Sequence, residues 1–388
     1  MRIFRTLLAV ITALLLTSTL RAEEPGFNLI VVGDPQPQTE EQFAQLEELL
    51  YHISFIAGQY EDNGLPTAIL LTGDVVWDRL DFLPRVKALF ESLGLPVYAV
   101  IGNHDHNRLV ANNERLAESR FEQVFGPRYY RFSLGNTEFF ALDNIDYRTY
   151  DDYRNRVDGK QLRWLRREAR SIADGKRIAI AMHAPAVDFR NDKKPHSYTK
   201  KIMRIFDGHP LHFITGHRHR HATVEIKEGV IEHNVSQVNG NLWFAPICSD
   251  GMPRSVFCIE ESNDEWQWHY YVLLGDSTEL KMVVWDEGEA YGHEEDIIVK
   301  VIGWDDRWRV EWAENGKNMG LMEQIEICDP DYMRYVEEEA DYNDNIMTRL
   351  RRSAAPHSHY FRCRRTEPNS QITITATDRF GRVFTTGR

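Results

Sequence analysis

Short apolar runs, rich in branched residues, recur along the first two thirds of the chain, and each ends in a cluster of Gly, Asp, Asn or His. The six runs are Leu29 to Asp34, Ile69 to Asp74, Val97 to Asp105, Phe139 to Asn144, Ile178 to His183 and Phe213 to His219. Runs of this length predict strands that are buried on both faces. Helical spacing of apolar residues lies between them, for example at Phe43, Leu46 and Leu49 and at Leu162 and Leu165. Strand and helix therefore alternate, which predicts an α/β domain with largely parallel sheets.

The pattern changes after about Glu260 to alternating, tryptophan-rich segments. The segment Trp304 to Trp312 alternates, Asn315-Gly316 is a turn signal, and the stretch from Ile372 to Phe384 has the pattern of a hairpin. Together these features predict a small β-rich domain at the end of the chain. The acidic stretch from Asp329 to Leu350 is compatible with either a helix or a long loop.

The first residues have the pattern of a secretory signal peptide. Arg2 and Arg5 precede an apolar stretch from Leu7 to Leu16, and a small-residue site follows from Thr17 to Ala22. A membrane anchor is the competing interpretation, but the apolar stretch is well short of the roughly 20 residues that a bilayer span needs. We therefore predict removal of residues 1–22, a periplasmic or secreted location, and no transmembrane anchor in the mature protein.

The length and the net charge of the chain indicate how many domains and what kind of partner to expect. The length of 388 residues exceeds what one hydrophobic core usually serves, so we expect an α/β domain at residues 23–262 and a β-rich domain at residues 263–388. The formal net charge of -13 argues against a nucleic-acid partner, because such proteins need basic surface to displace counterions from phosphates. Bound metal ions could still attract a small phosphorylated substrate locally.

The chain has four cysteines, Cys248, Cys258, Cys328 and Cys363, which are too few for a disulfide scaffold and lack the C-x-x-C spacing of a zinc site. An exported protein meets an oxidising environment, in which Cys248 could pair with Cys258 and Cys328 with Cys363. Free buried thiols are an equally good interpretation.

Residues able to bind metal ions follow almost every predicted strand. They are Asp34, Asp74, Asn103, His183, His217 and His219, and His104 and Asp105 follow Asn103 directly. Because the carboxyl ends of parallel strands meet at one edge of a sheet, these side chains would converge in one crevice. Carboxylate, amide and imidazole ligands together suit zinc, manganese or iron. Asp74 could bridge two cations about 3.5 to 4 Å apart, an arrangement suited to phosphoryl transfer.

Each motif also has an ordinary structural interpretation. Gly73-Asp74 alone would usually be a turn, His183 alone a packed histidine, and His217 with His219 alone a surface strand edge. Five motifs in order, each at the end of an apolar run, favour a metal site over these separate interpretations.

The sequences Gly102-Asn103-His104-Asp105 and Gly216-His217-Arg218-His219 resemble the calcineurin-like metallophosphoesterase superfamily. Asp34-Pro35-Gln36 and the segment from Gly240 to Pro253 resemble a bacterial exported branch of it, as does the stretch from Thr377 to Val383. The resemblance implies a two-sheet α/β sandwich followed by a small β-rich, sandwich-like C-terminal domain. It also implies a hydrolase that acts on phosphoric ester bonds.

Two divalent metal ions, Mn, Fe or Zn, are implied by the same resemblance. One would be held by Asp34, Asp74 and His219, and the other by Asp74, Asn103, His183 and His217. His104 would be the catalytic acid at the leaving oxygen, with Asp105 orienting it. A metal-bridging hydroxide would attack the phosphate mono- or diester directly, without a covalent enzyme intermediate.

Gln36 departs from the usual pattern of the superfamily, which has a histidine two residues after the first aspartate. An amide oxygen is a weaker ligand for a borderline ion than an imidazole nitrogen. Gln36 could therefore bind its metal loosely, favour a harder ion or face the substrate. The alternative function is a non-catalytic, metal-dependent binding protein for a phosphorylated envelope ligand. The C-terminal domain could select substrates at the crevice or only stabilise the catalytic domain.

Overall fold

The computed structural model describes residues 26–111, 113–263, 265–273 and 280–387 of the chain. The signal peptide predicted at residues 1–22 lies outside this described part. Within the described ranges, no helix combines the length and the apolar character needed to cross a membrane.

A five-stranded sheet begins the N-terminal part of the molecule. In spatial order its strands are β15 (Glu265–Val272), β14 (Ser255–Ser262), β1 (Phe27–Val32), β2 (Thr67–Leu71) and β3 (Val97–Ala99). The strands β1, β2 and β3 run parallel, while β14 pairs antiparallel with both β1 and β15.

A six-stranded sheet packs against the first. In spatial order its strands are β12 (Ala222–Lys227), β13 (Val230–Asn234), β11 (Leu211–Thr215), β8 (Arg177–Ala181), β5 (Thr137–Ala141) and β4 (Tyr130–Leu134). The four central strands are parallel and the two edge strands are antiparallel to their neighbours.

Helices cover the outer faces of both sheets. They are α1 (Glu40–Asp62), α2 (Leu83–Glu91), α3 (Glu114–Phe125), α4 (Gly159–Ala169) and α5 (Ser197–Ile205). Alternate residues of β1 show the layering, because Ile30 packs in the core below α1 and α2 while Leu29 packs between the sheets. Each such buried side chain contributes roughly 1.5–3 kcal/mol of hydrophobic stabilisation. The predicted two-sheet α/β sandwich is thereby confirmed.

Shorter elements complete the loops of this part. They are the 3-10 helices Asn103–Asp105 and Arg108–Val110 and the two-stranded hairpins β6 (Ile145–Tyr147) with β7 (Tyr153–Asn155) and β9 (Val187–Asp188) with β10 (Lys194–Pro195).

The boundary predicted at residue 262 falls at the turn between β14 and β15. The strand β15 belongs to the first sheet and places Trp266, Trp268 and Tyr270 in the core between the sheets. These aromatic residues alternate with polar ones because only one face of β15 is buried. The same alternation occurs in the C-terminal part, which is why the sequence pattern separated β15 from the first sheet.

Two antiparallel four-stranded sheets form the C-terminal part. The first has the order β16 (Met282–Trp285), β17 (Ile297–Val301), β21 (His357–Cys363) and β20 (Glu323–Ile327), and the second has the order β19 (Lys317–Leu321), β18 (Arg309–Glu314), β22 (Ile372–Thr377) and β23 (Val383–Gly387). Their facing side chains, among them Val299 and Ile374, share one core. Asn315 and Gly316 both have positive φ and close the turn between β18 and β19, as predicted. The β-rich C-terminal domain is confirmed.

The acidic stretch left open by the sequence is mostly helical. It forms α6 (Pro330–Arg334), a π-helical turn at Tyr335–Glu339 and α7 (Asp344–Ser353). All four cysteines carry free thiols, so neither of the pairings considered from the sequence occurs in this structure.

Candidate metal centre

Loops that follow four parallel strands carry most of the residues predicted as metal ligands. Asp34, Asp74, His183 and His217 lie within three residues of the ends of β1, β2, β8 and β11. Asp34, Asp74 and His217 have left-handed backbone conformations, with φ angles of 40°, 46° and 69°. Such conformations cost about 1–3 kcal/mol each in non-glycine residues and concentrate at functional sites. The sharp turns bring the four side chains together beyond the ends of the strands.

Two clusters of ligand atoms share Asp74. One consists of Asp74, His183 and His217, and the other of Asp34, Asp74 and His219, with the ligand atoms of each cluster within 4.8 Å of one another. His183 Nε2 lies 3.3 Å from Asp74 Oδ1 and 3.1 Å from His217 Nδ1. His219 Nε2 lies 3.8 Å from Asp34 Oδ1. The geometry therefore offers two adjacent sites with a common carboxylate.

Asn103 joins the first cluster. His183 Nδ1 lies 2.9 Å from the carbonyl oxygen of Thr72, so Nδ1 carries the proton and Nε2 has a free lone pair in the neutral ring. That lone pair lies 3.0 Å from Asn103 Oδ1, which is also an acceptor. No lysine or arginine in the described ranges pairs with the buried Asp34 and Asp74. With the His183 ring neutral, Nε2 and Asn103 Oδ1 both present lone pairs beside the buried carboxylates, an arrangement that fits a divalent metal ion.

Burial and the close charges shift the pKa values of these side chains in different directions. Burial raises the pKa of Asp34, and the neighbouring Asp74 carboxylate adds to the effect against an opposing contribution from His183. Burial opposes protonation of His183, but the Asp74 and Asp34 carboxylates outweigh it and raise the pKa to about 9. Without a metal ion the ring therefore keeps a proton on Nε2, and a bound ion would take the place of that proton. Burial, with repulsion from His183, lowers the pKa of His217 to about 3 and of His219 to about 4. These two rings are thus neutral, as metal-binding imidazoles are.

Two glycines are needed for the close approach of these loops. A Cβ on Gly102 would overlap the backbone nitrogen of Asp74, and a Cβ on Gly216 would overlap the Asp34 carboxylate and Thr72 Oγ1. Any larger residue would push a ligand out of place, which explains the glycines in both sequence motifs.

His104 is held at the edge of the centre by two contacts. Its Nδ1 lies 3.1 Å from Asp78 Oδ1, and its ring stacks on Trp77 with the centroids 4.3 Å apart. The pKa of His104 is raised: burial opposes the protonated form, but the Asp74 and Asp78 carboxylates outweigh burial. The two contacts therefore orient the ring, and the neighbouring carboxylates favour its protonation.

Asp105 has a different partner set from the one predicted. Its buried carboxylate accepts hydrogen bonds from the backbone nitrogens of Gly102, Val75 and Val76 at 2.9, 3.1 and 3.1 Å. Asp105 thus ties the loop after β3 to the loop after β2, and the orienting contact predicted for it is made by Asp78. The predicted contact of Asp105 with the His104 ring is absent because three backbone N–H groups surround the Asp105 carboxylate.

Gln36 contacts the shared carboxylate. Its Nε2 donates to Asp74 Oδ2 at 2.6 Å, and its backbone nitrogen donates to the Asp74 carbonyl at 3.2 Å. Its Oε1 is buried and has no hydrogen-bond partner in the described part of the chain. Trp243 Nε1 donates to Pro35 O at 2.9 Å and fixes the loop from outside. Gln36 as a metal ligand stays a prediction, while its contact with Asp74 is a feature of the structure.

Several residues around the crevice were not identified from the sequence. Tyr147 donates its hydroxyl to Asn103 O at 2.9 Å, and the Tyr153 ring lies 6.2 Å from the His217 ring. Both belong to the short hairpin β6–β7, which gives no strong sequence signal. Asp78 could have been noticed, because it follows the Gly73-Asp74 motif by only four residues.

Two family models match the chain. The model described as calcineurin-like phosphoesterase matches residues 27–221, and the model described as C terminal of calcineurin-like phosphoesterase matches residues 232–384. The chain belongs to the calcineurin-like phosphoesterase family. This member of the family is therefore a metal-dependent phosphoesterase, a hydrolase of phosphoric ester bonds, and the resemblance to the superfamily is confirmed. The first match runs from β1 through the motif ending at His219 and so contains every residue predicted as a ligand.

Solved structures of low similarity were also found. Three of them are a dimetal phosphatase from Danio rerio, a 5'-nucleotidase from Candida albicans and a purple acid phosphatase from yellow lupin (Lupinus luteus) seeds. They are 14%, 13% and 11% identical, with TM-scores of 0.41, 0.41 and 0.45. The matches cover 63%, 66% and 65% of this calcineurin-like phosphoesterase and 98%, 53% and 52% of the other chains, so it spans about half the length of the last two. A comparison with curated protein sequences returns no match.

Proposed function

We propose that the protein hydrolyses a phosphate mono- or diester in the crevice beyond the ends of β1, β2, β8 and β11, with two divalent metal ions bound there. The observation that carries the proposal is the position of Asp74, a buried carboxylate that belongs to both ligand clusters. A carboxylate shared by two cations lets both lie close enough to act on one phosphate group.

The side chains around Asp74 divide into two proposed metal sites. One consists of Asp34, Asp74 and His219, and the other of Asp74, Asn103, His183 and His217. When bound, two ions such as Mn, Fe or Zn would neutralise the phosphoryl oxygens and lower the pKa of water. Gln36 donates to Asp74 Oδ2 and so holds the shared carboxylate in one orientation. In this proposal Gln36 is a positioning residue, whether or not its free Oε1 also binds an ion.

His104 is proposed as the acid that protonates the leaving oxygen. Asp78 engages Nδ1 and Trp77 supports one face of the ring, so Nε2 is the nitrogen left to carry a proton to the substrate. A general acid must be positioned before it can act, and these two contacts fix both the direction and the plane of the ring.

The substrate is proposed to be a small phosphorylated molecule. The net charge of -13 disfavours a long polyanion, whereas the ligand clusters would attract one phosphate group through bound metal. The ligand set is suited to monoesters and to diesters alike. A periplasmic or secreted location is proposed from the sequence pattern of residues 1–22 alone. N-terminal sequencing of the exported protein should begin at Glu23, and an uncleaved N-terminus would contradict that location.

The direct test is hydrolysis of nitrophenyl phosphate and bis(nitrophenyl) phosphate by the mature protein. Turnover should disappear on chelation and return on addition of manganese or zinc, and the ratio of the two rates ranks monoester against diester. Turnover that survives complete metal removal would contradict the proposal. If the protein binds metal but hydrolyses neither ester nor any other phosphate ester, the binding-protein alternative is favoured.

Replacing His104 tests the acid. General acids typically contribute about 10²–10⁴-fold, and an alkyl leaving group needs the proton far more than a nitrophenolate does. The variant His104→Ala should therefore lose about 10²-fold or more in rate on an alkyl phosphate and much less on nitrophenyl phosphate. Metal content measured on the same samples is the control. Equal losses on both substrates would exclude the acid role.

A further inference from the structure

Arg349 of α7 reaches the metal centre from the C-terminal part of the chain. Its Cζ lies 4.6 Å from the centroid of the Trp77 indole. The same indole stacks on the His104 ring, with the centroids 4.3 Å apart and the planes 27° from parallel. Arg349 and His104 both lie at stacking distance from this one indole. Trp77 thus contacts both Arg349 and the proposed acid.

The helix that carries Arg349 is fixed to the metal-binding loops. Arg220, which directly follows His219, donates from Nη2 to the carbonyl oxygen of Ser353 at 2.8 Å. Asn241 Nδ2 donates to Ser353 Oγ at 2.8 Å. The last turn of α7 is therefore tied to the loop after β11, and Arg349 is held over Trp77 by a supported helix.

The guanidinium of Arg349 differs in its contacts from that of its helix neighbour Arg351. Within the described ranges Arg349 forms no ion pair and no hydrogen bond, whereas Arg351 on the same helix pairs with Glu337 at 3.3 Å. The Arg349 side chain is exposed. An arginine stacked on an aromatic ring keeps its planar fork of donors ready for a carboxylate or phosphate.

Among the described residues Arg349 is a cation without an ion-pair partner, on a chain with a net charge of -13. The surrounding field repels an anion with several charges, so such a ligand would need a local cation to approach.

We propose that Arg349 binds a second anionic group, a phosphate or a carboxylate, on the leaving group of the substrate. The inference rests on the proposed function, in which His104 faces the leaving oxygen. Because Arg349 contacts the same indole as His104, a leaving group that extends from this oxygen along Trp77 meets the guanidinium. The preferred substrates are then phosphate esters with a further negative charge, and Arg349 is the residue that selects them.

Initial rates with fructose 6-phosphate and fructose 1,6-bisphosphate test this selection. Whichever phosphate of the bisphosphate is hydrolysed, the other is the second anion. The metal-loaded full chain should have a kcat/KM about tenfold or more higher for the bisphosphate, as expected for a charge-assisted bidentate contact. The bisphosphate has two groups that can be hydrolysed, so some excess in kcat/KM remains without any contact to Arg349. For Arg349→Ala the ratio of the two kcat/KM values should fall close to this excess, and Arg349→Lys should keep part of the preference for the bisphosphate.

A matched control lies on the same helix. Arg352 is exposed and, among the described residues, has no ion pair, so Arg352→Ala should keep the wild-type ratio. If Arg349→Ala slows both substrates equally and leaves their ratio unchanged, Arg349 only supports Trp77 and the proposal is overturned. A wild-type ratio without preference for the bisphosphate would overturn it as well.

Calorimetric titration supplies a readout that needs no turnover. The wild-type protein should bind 1,3-propanediphosphonate more tightly than propylphosphonate, and Arg349→Ala should lose this difference. Equal binding of the two phosphonates by the wild-type protein counts against the role of Arg349. Absence of hydrolysis on every phosphate ester would instead refute the proposed function, so the two failures are distinguishable.

Discussion

Asp78 and Asp105 both lie near His104, and their contacts assign them different tasks. Asp78 is partly exposed and engages the His104 ring as well as Arg108. Asp105 is fully buried and receives three backbone N–H groups. A residue that engages only a side chain at the surface contributes little to folding, whereas a buried carboxylate that satisfies backbone donors contributes much.

Replacing each aspartate by asparagine should separate these tasks. Asp78→Asn should lower kcat on an alkyl phosphate by about tenfold or more, because His104 loses its orienting partner, with little change in the free energy of unfolding. Asp105→Asn should lower the free energy of unfolding by about 3 kcal/mol, since an amide nitrogen would face backbone N–H groups. Urea unfolding and steady-state kinetics of both variants check the contrast. Equal loss of stability in the two variants would contradict it.

The ligand residues at the strand ends could be predicted from the sequence, whereas the side chain that orients His104 could not. Asp34, Asp74 and His183 each follow an apolar run, so chain order alone places them at one edge of the sheets. The partner of His104 depends instead on how two loops fold over each other. Asp105 is the sequence neighbour of His104, yet the left-handed turn at Asp74 brings Asp78 to the ring.

At the scale of elements, the loops that leave β2 and β3 touch at Gly102, and this contact gives a stability prediction. The variant Gly102→Ala would place a Cβ against the Asp74 backbone and should cost about 1–3 kcal/mol or more, with loss of metal binding. Gly58, inside α1, has open space around it, so Gly58→Ala should add about 0.5–1 kcal/mol to the free energy of unfolding. Thermal unfolding and metal content of both variants test this. A Gly102→Ala protein that folds and binds metal normally would refute the close approach.

A buried histidine pair in the core between the sheets makes folding sensitive to acid. His212 Nδ1 lies 3.0 Å from His233 Nε2, and burial, with the nearby Arg177 and Arg379, lowers the pKa of His212 to about 3. In the unfolded chain the imidazole of His212 binds a proton near pH 6.5, whereas in the folded chain it stays neutral there. The free energy of unfolding therefore falls as the pH falls below about 6.5. The loss amounts to about 2 kcal/mol for His212 at pH 5 relative to neutral pH.

Urea unfolding at pH 7.5 and pH 5 measures this loss. His212→Asn keeps a hydrogen-bonding atom near the position of Nδ1 and removes one titrating group, so the difference between the two pH values should shrink by about 2 kcal/mol. An undiminished difference in His212→Asn would show that His212 does not contribute.

The strands and helices of the sandwich were predicted from the hydrophobic periodicity, but the residues at which they end were not. The strands before Asp34 and Asp74 end two or three residues earlier than the apolar runs suggested, because positive φ angles at the ligands break the extended chain. The strand β15 was assigned to the wrong side of the boundary, since a half-buried edge strand has the same alternation as a strand of the C-terminal sheets.

At the scale of the whole molecule, side chains of the C-terminal part form hydrogen bonds to the backbone of the loop that contains Asp250 and Gly251. His359 Nε2 lies 2.6 Å from Asp250 O, the Tyr360 hydroxyl donates to the same carbonyl at 2.9 Å, and Lys300 Nζ donates to Gly251 O at 2.8 Å. The sequence predicted both parts but left open whether the second covers the crevice. The contact between α7 and Trp77 joins residues far apart in the chain, and no local pattern encodes such a pair.

The central claim is a pair of metal sites that share Asp74, and metal content measured together with turnover tests it most directly. The wild-type chain should hold about two divalent ions and hydrolyse phosphate esters. Asp74→Asn should lose most of both metal and activity, whereas His219→Ala should lose one ion and keep the other, because His219 belongs to a single cluster. If Asp74→Asn instead binds as much metal as the wild-type chain and turns over at the same rate, the shared-carboxylate centre is wrong.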